Sequence, residues 1–183
     1  MPGTFDKLRD GDLVDSFKIC VEIILEHEGG YAWYENDPGG ETNFGIAKKY
    51  FPDEDIKNMT TERATEIYYN SFWKPLNLTG IEDPLLCLHI FDMAVNSGCR
   101  TAVKLIQEIV NVQKDGIIGQ MTKKAINEFK PETKTIDGKK VTYDIVHCYA
   151  QAREYYYRKV VEKNPKMAMF LQGWLNRIEN THF

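Results

Sequence analysis

Apolar residues recur at helical spacing along most of this chain, and this periodicity predicts a mainly α-helical protein. The first clear stripe lies within residues 12–28, and two glycines directly after it end the helix. Glu28 comes four residues after Ile24, so it falls on the same core-facing side of this helix. The apolar members of the stripe are Leu13, Phe17, Cys20, Val21 and Ile24.

Turn and capping signals divide the rest of the chain into further helices. A second helix is expected to begin at residues 60–61 and to end at Pro75. The pair Asp83-Pro84 is typical of a helix start, and the helix that follows, at about 85–95, is apolar on nearly every side. Such a helix is predicted to lie buried in the core. The remaining helices are expected at about 99–110, 122–129, 144–162 and 166–179.

Two segments lack helical spacing. Residues 31–47 contain an Asp-Pro-Gly-Gly turn at 37–40 and are predicted to form a loop or short hairpin. Residues 131–143 are rich in lysine and threonine around an Asp-Gly turn, which predicts a protruding hairpin. The expected fold is therefore mainly α with a small β element, in one domain or two tightly joined lobes.

Composition narrows the class of protein. The chain has 183 residues, of which 43% are hydrophobic and 27% charged, as in an ordinary globular protein. A net charge of -4 argues against a nucleic-acid partner, which would require many phosphates to be neutralised. No stretch approaches the roughly 20 apolar residues of a membrane span. No signal-peptide pattern opens the sequence, so we expect synthesis in the cytoplasm.

Cysteine and histidine patterns give no sign of a metal or cofactor. His27-Glu28 would begin a zinc metalloprotease motif, but Tyr31 stands where the second histidine is required. The four cysteines are widely spaced and are predicted to be small buried hydrophobic residues. They are Cys20, Cys87, Cys99 and Cys148.

The stretch after the first helix carries the candidate chemistry. Glu28 combines a core-facing position with the negative end of the helix dipole, a setting suited to a general acid. Asp37 follows nine residues later, and two carboxyl groups in different environments are what glycoside hydrolysis uses. Glu35 and Glu41 compete with Asp37 for the second role, and the hydroxyl of Thr42 is a candidate for holding a water. The competing structural roles are a solvent-facing helix end for Glu28, a local turn for Asp37 and an ordinary strand position for Thr42.

Aromatic residues near the candidate carboxylates are candidates for binding sugars, because flat rings cover the apolar faces of pyranoses. Tyr31, Trp33 and Tyr34 lie in the loop itself, with structural roles equally open. Trp73 lies late on an apolar helix, which is more typical of core packing. Asn96, at the exit of the buried helix, is a further candidate for the cleft, and its alternative role is to cap that helix.

These motifs resemble the glycosyl hydrolase family 108 lysozymes, predicted N-acetylmuramidases of bacteria and phages, some of them labelled secretion activator proteins. The resemblance rests on Glu-Gly-Gly-Tyr at 28–31 and Asp-x-Gly-Gly-x-Thr-x-x-Gly-Ile at 37–46. Residues 91–98 are similar to the family's central helix and its exit. The turn at 115–122 resembles the predicted peptidoglycan-binding part, and residues 170–177 resemble the closing segment.

The resemblance implies a lysozyme-like fold with a catalytic part at 1–97 and a peptidoglycan-binding part at 98–183, packed as one compact unit. It implies that Glu28 is the catalytic glutamate. There is also a looser similarity to phage-type lysozymes, which place an aspartate nine residues after the glutamate and a threonine six residues after the aspartate. Here Asp37 keeps the first spacing and Thr42 follows Asp37 by five residues. This similarity implies Asp37 as the second carboxylate. The implied partner is peptidoglycan, the polymer of N-acetylmuramic acid and N-acetylglucosamine, reached after release by a holin. We expect a monomer.

Three alternatives stay open at this point. A lytic transglycosylase would use one glutamate as acid and base, and a chitinase-like enzyme would cut another N-acetylhexosamine polymer. A non-catalytic wall-binding or secretion-activator protein would need no acid. Lysines after the turn at Asp115-Gly116 are candidates for a positive patch facing the anionic wall. The alternative is that they form an ordinary solvated hairpin. They are Lys123, Lys124, Lys130, Lys134, Lys139 and Lys140.

Overall fold

A computed structural model describes residues 13–33, 40–137 and 139–181, and within them the predicted helices are all found. The mainly helical prediction is confirmed. The helices are α1 (Leu13–Glu28), α2 (Thr61–Tyr68), α3 (Lys74–Leu76), α4 (Pro84–Ser97), α5 (Cys99–Ile109), α6 (Gln120–Asn127), α7 (Ile145–Lys163) and α8 (Ala168–Glu179). The strands form two antiparallel hairpins, β1 (Thr42–Asn43) with β2 (Ile46–Ala47), and β3 (Glu132–Ile136) with β4 (Lys139–Tyr143).

Packing divides the chain into two compact units, Met1–Pro75 and Leu76–Phe183. The resemblance implies a different division, between a catalytic part at 1–97 and a wall-binding part at 98–183. That division is one of function, and it stays a prediction. The two units are described separately below.

In the first unit, α1 buries the later part of the stripe that the sequence predicts. Cys20, Val21 and Ile24 are all buried. Burial raises the pKa of the Cys20 thiol to about 12, so this thiol stays protonated and behaves as a small apolar residue. Phe17 packs against Trp73 with ring centroids 5.4 Å apart, and Trp73 is itself buried. Core packing is therefore the role of Trp73.

The second helix continues past the predicted end at Pro75. A π-helical turn, Tyr69–Trp73, follows α2 and leads into α3, which ends at Leu76. In this wider turn the backbone N–H of Lys74 donates to the carbonyl of Tyr69. Proline lacks an N–H and disfavours a regular helix at its position, and here the wider turn precedes it.

In the second unit, α4 is the buried helix that its composition predicts. Asp83 caps it by accepting hydrogen bonds from the backbone N–H groups of Leu85 and Leu86, at 2.9 and 3.0 Å. Every residue from Leu86 to Ala94 is buried. The helix packs against α5 and α7, and α7 packs against α8.

Four charged or polar side chains lie inside this apolar setting, and the hydrophobic pattern alone gives no sign of them. Asp92 accepts from Nη2 of Arg153 and, at 2.6 Å, from Nε of Arg177. Nη1 of Arg153 lies 3.1 Å from Nδ1 of His89. Because arginine can only donate, Nδ1 of His89 is the acceptor and carries no proton. The buried carboxylate is thus compensated by two guanidinium groups.

The β3–β4 hairpin confirms the predicted protrusion. Its strands pair from Glu132 with Tyr143 to Ile136 with Lys139, and all five residues of β3 are exposed. Lys134 forms an ion pair with Glu132 at 3.1 Å, with both side chains more than half exposed. At least this lysine lies on an ordinary solvated surface.

None of the helices described is long and apolar enough to cross a membrane. Among the residues that the structure describes, no cluster of histidine, cysteine and acidic side chains is arranged to hold a metal ion. All four cysteines are free thiols.

Candidate active site

The carboxyl group of Glu28 lies directly over Gly45. Glu28 is the last residue of α1 and is half-buried. A Cβ atom built at Gly45 would lie 2.3 Å from Oε2 of Glu28 and 2.6 Å from its carboxyl carbon. No Cβ fits at such distances, so the position of the Glu28 side chain requires glycine at 45.

Gly45 belongs to a tight hairpin turn. The pairing of Asn43 with Ile46 leaves a two-residue loop, Phe44-Gly45, between β1 and β2. Both loop residues have positive φ, 50° and 72°, which defines a type I′ turn and explains why the second is glycine. The small hairpin predicted within residues 31–47 is therefore present beside Glu28, with its turn at 44–45. The Asp-Pro-Gly-Gly turn predicted at 37–40 lies, except for Gly40, outside the described residues.

Two buried side chains hold this turn in place. The hydroxyl of Tyr68, on α2, donates to the carbonyl of Phe44 at 2.8 Å. The amide of Asn43 donates to the carbonyl of Ile56 at 3.0 Å. Tyr68 and Asn43 are both buried, so water does not compete for these bonds. The backbone beneath Glu28 is thereby fixed to the core of the first unit.

The chain leaving α1 pairs with β1. Backbone hydrogen bonds of 2.8 Å run in both directions between Ala32 and Thr42. The hydroxyl of half-buried Thr42 donates to the carbonyl of Ala32 at 3.4 Å. This is the structural role expected of a strand residue, and the water-holding role of Thr42 stays a prediction.

The aromatic residues that the structure describes in this loop face solvent. Tyr31 is 45% exposed and Trp33 is 56% exposed, so both rings are accessible to a ligand. The hydroxyl of Tyr31 donates to Oε1 of Glu41 at 3.3 Å. Tyr34, Glu35 and Asp37 lie outside the described residues, and the roles assigned to all these side chains stay predictions. Of the loop residues predicted to belong to the site, the structure describes Tyr31, Trp33, Glu41 and Thr42.

Asn96 lies in the second unit, near the end of α4, and is exposed. Its side-chain amide donates to the carbonyl of Asp92, one turn back in the same helix, at 3.1 Å. The helix is capped by Gly98, whose φ is 84°. A role for Asn96 in binding substrate stays a prediction.

The Asp-Gly turn of the second unit is braced by Gln107. The buried amide of Gln107 donates to Oδ1 of Asp115 at 2.7 Å and accepts from the N–H of Gly116 at 2.9 Å. The hydrogen bond from Gln107 is the main cause that lowers the pKa of Asp115. A Cβ at Gly116 would lie 2.7 Å from Cγ of Arg100, so this turn also requires glycine where an arginine crosses it.

The sequence analysis assigned no structural role to Gly45, Asn43 or Tyr68. The segment Asn-Phe-Gly-Ile at 43–46 contains a local signal, because glycine in the second position of a two-residue loop is typical of a type I′ hairpin. Tyr68 has no such signal, since its bond to Phe44 joins residues 24 positions apart.

In the first unit a glutamate ends α1 above a small hairpin, and in the second unit α5 and α7 pack against the buried helix α4. Both features are typical of a lysozyme-like protein. Residues 21–98 match the sequence model of the family described as Glycosyl hydrolase 108. Residues 101–179 match the one described as Predicted Peptidoglycan domain. Residues 21–98 are thus similar to the glycosyl hydrolase 108 family, and the resemblance inferred from the motifs is confirmed.

A solved structure supports the same assignment. The structure of Brucella abortus SagA aligns with a TM-score of 0.72 and 25% sequence identity, covering 92% of this chain and 92% of that chain. No curated protein sequence matches the chain. The lysozyme-like fold class is confirmed, and the two family regions identify a glycoside hydrolase that acts on peptidoglycan.

Proposed function

We propose that the protein is an N-acetylmuramidase in which Glu28 is the general acid. In this mechanism Glu28 protonates the glycosidic oxygen that follows N-acetylmuramic acid as the sugar–oxygen bond breaks. The observation that carries the proposal is the seat of the Glu28 carboxyl group on the Gly45 turn, where a Cβ would lie 2.3 Å from Oε2.

A general acid must be both reachable by the leaving oxygen and held in one place. Glu28 is half-buried, so part of the residue lies at the surface. The turn beneath it is anchored by the buried hydroxyl of Tyr68, 2.8 Å from the carbonyl of Phe44. These contacts support a fixed and accessible proton donor.

A second carboxylate is proposed to stabilise the oxocarbenium-like transition state or to activate water. Asp37 is the first candidate, Glu35 and Glu41 are the others, and Thr42 is proposed to position the water. A separation of about 6.5–9.5 Å between the two carboxyl groups would give inversion, and about 5–5.5 Å would give retention. Tyr31 and Trp33, both exposed, are proposed to stack on sugar rings.

The direct test is cell-wall clearing by the wild type and by Glu28→Gln, which keeps the shape of the side chain and removes the transferable proton. We expect clearing to fall by about 10²–10⁴-fold, the usual contribution of a general acid. Circular dichroism and urea unfolding of the variant check that the fold is retained. Equal clearing by the two proteins would rule out the acid role.

The second carboxylate is tested by Asp37→Asn, Glu35→Gln and Glu41→Gln in the same assay. The variant that loses clearing while keeping its fold identifies the partner of Glu28. If all three keep full clearing, a single-carboxylate mechanism replaces the proposed one.

Mass spectrometry of the released fragments tests the reaction. A muramidase leaves N-acetylmuramic acid at the reducing end, whereas a lytic transglycosylase leaves a 1,6-anhydro end that is one water lighter. Cleavage of chitin oligomers in preference to wall fragments would show that chitin is the substrate in place of peptidoglycan. A folded wild type that binds the wall and cuts nothing would be a binding or secretion-activator protein.

A further inference from the structure

A cleft of about 460 Å³ opens in the second unit, between α5 and the side chain of Tyr156 on α7. Three cationic side chains line it, Arg100, Lys104 and Lys114, together with the single carboxylate of Glu108. Most of its lining falls within residues 101–179, which match the Predicted Peptidoglycan domain, but that match assigns no chemical group of peptidoglycan to the cleft.

The cleft carries a net positive charge in a protein whose overall net charge is -4. Nζ of Lys114 pairs with Oε2 of Glu108 at 3.1 Å, so these two charges neutralise each other. Neither Arg100 nor Lys104 has an ion-pair partner within 4.0 Å in the described part of the chain, although the charge of Arg100 contributes to lowering the pKa of Asp115. Two cations on α5 are therefore available to a ligand.

The stem of Arg100 lies against the turn at Asp115-Gly116. Gly116 lacks a Cβ, and a Cβ there would lie 2.7 Å from Cγ of Arg100, so the arginine stem crosses the turn at this glycine. Oδ1 of Asp115 accepts from Gln107 at 2.7 Å and from the N–H of Ile117 at 2.9 Å. That oxygen is thus used within its own turn.

The spacing of the two cations suits an extended peptide that bears carboxylates. Arg100 and Lys104 are four residues apart on α5, which is about 6 Å along a helix axis. Alternate residues of an extended peptide are separated by about 6.6 Å. The ring of Tyr156, edge-on to Tyr157 at 5.6 Å between centroids, provides an apolar wall for short aliphatic side chains.

We propose that this cleft binds the acidic stem peptide of peptidoglycan through its carboxylates, with Arg100 and Lys104 as the recognising groups. The inference rests on the proposed function in one respect, that the ligand is peptidoglycan. It separates recognition of the peptide, in the second unit, from cleavage of the glycan by Glu28.

Binding to purified sacculi tests the proposal, with Glu28→Gln as the background so that the wall is not digested during the measurement. The cleft variant is Arg100→Glu/Lys104→Glu. The matched control is Lys139→Glu/Lys140→Glu on the exposed β3–β4 hairpin, because both doubles change the net charge equally. We expect at least about tenfold weaker binding for the cleft variant and near-unchanged binding for the hairpin variant, most clearly at low salt.

Sacculi stripped of their stem peptides by an amidase supply the ligand control. We expect the background protein to bind stripped glycan more weakly than intact sacculi. The double Arg100→Gln/Lys104→Gln removes the charges without reversing them, and urea unfolding shows whether each variant keeps its fold. If folded cleft variants bind intact sacculi as well as the hairpin variant does, the proposal is overturned.

Preferential loss in the hairpin variant would also overturn it and would place wall attraction on the hairpin lysines. Failure of the wild type to cleave glycan strands would instead overturn the muramidase assignment. The binding comparison uses uncleaved sacculi, so these two failures are distinguishable.

Discussion

The two units each place a carboxylate on the core-facing side of a helix, and they treat it in opposite ways. Glu28, at the end of α1, is half-buried and rests on the glycine turn at Gly45. Asp92, within α4, is 1% exposed, and its two oxygens accept from the guanidinium groups of Arg153 and Arg177. The first residue keeps part of its surface exposed, whereas the second is closed off from solvent.

The comparison shows which properties separate the carboxylate proposed as the acid, Glu28, from the structural carboxylate of Asp92. Both residues fall on apolar stripes, so helical periodicity does not distinguish them. Accessibility does, because a sealed carboxylate cannot transfer a proton to a glycan strand. Charge compensation also distinguishes the two carboxylates, because Asp92 neutralises the guanidinium group of Arg153, which is fully buried.

The largest expected effect comes from Asp92→Asn. The amide cannot neutralise the buried guanidinium of Arg153, and removing one partner of a buried pair costs about 3–5 kcal/mol of unfolding free energy. Urea unfolding monitored by circular dichroism measures this loss. We expect Glu28→Gln to change the unfolding free energy by less than about 1 kcal/mol, the range usual for residues outside the core.

Glu154→Gln is the matched control for Asp92→Asn, since it removes a carboxylate on α7 that pairs with Arg158 at 2.7 Å with both side chains about half exposed. Exposed helical pairs of this kind contribute about 0.3–0.5 kcal/mol. If Asp92→Asn lowers the free energy of unfolding no more than Glu154→Gln does, Asp92 is not the structural carboxylate that this contrast requires.

The second prediction tests whether the Gly45 turn positions the carboxyl group of Glu28. Gly45→Ala places a Cβ where the carboxyl group lies and forces an alanine to φ of 72°. The backbone strain costs about 1–2 kcal/mol of stability. A shift of about 1 Å in a catalytic group can lower the rate by about 10²-fold, so we expect a loss of this order in wall cleavage.

Gly80→Ala separates strain from displacement. Gly80 also has positive φ, 89°, and its added Cβ would meet only Cδ of Lys123 at 3.9 Å, an ordinary contact. We expect a similar loss of stability with little loss of cleavage. Equal loss of cleavage in the two variants would mean that the Gly45 turn does not position Glu28.

Local signals in the sequence predicted the helices and most of their ends, because helix starts and stops depend largely on neighbouring residues. The helix expected to end at Pro75 is the exception. The Asp83-Pro84 pair and the stripe before Gly29 are examples, and the structure has both helices where they were expected. Glu28 was predicted as the acid partly from its place on such a stripe. The Asp92–Arg153 pair joins residues 61 positions apart, and a single sequence does not show which distant residues meet.

The smallest effect concerns the hydroxyl beneath the turn. Tyr68→Phe removes the bond to the carbonyl of Phe44, 2.8 Å long, and leaves the ring in the core. A lost hydrogen bond of this type costs about 0.5–1.5 kcal/mol. Because the turn then has one anchor fewer beneath Glu28, we expect a several-fold drop in wall cleavage with KM little changed. Tyr50→Phe is the control, since Tyr50 lies in the same unit with 72% of its surface exposed, and it should alter neither stability nor cleavage. A Tyr68→Phe variant that loses stability but cleaves at the wild-type rate would show that the Glu28 seat tolerates a looser turn, and would confine the role of Tyr68 to packing.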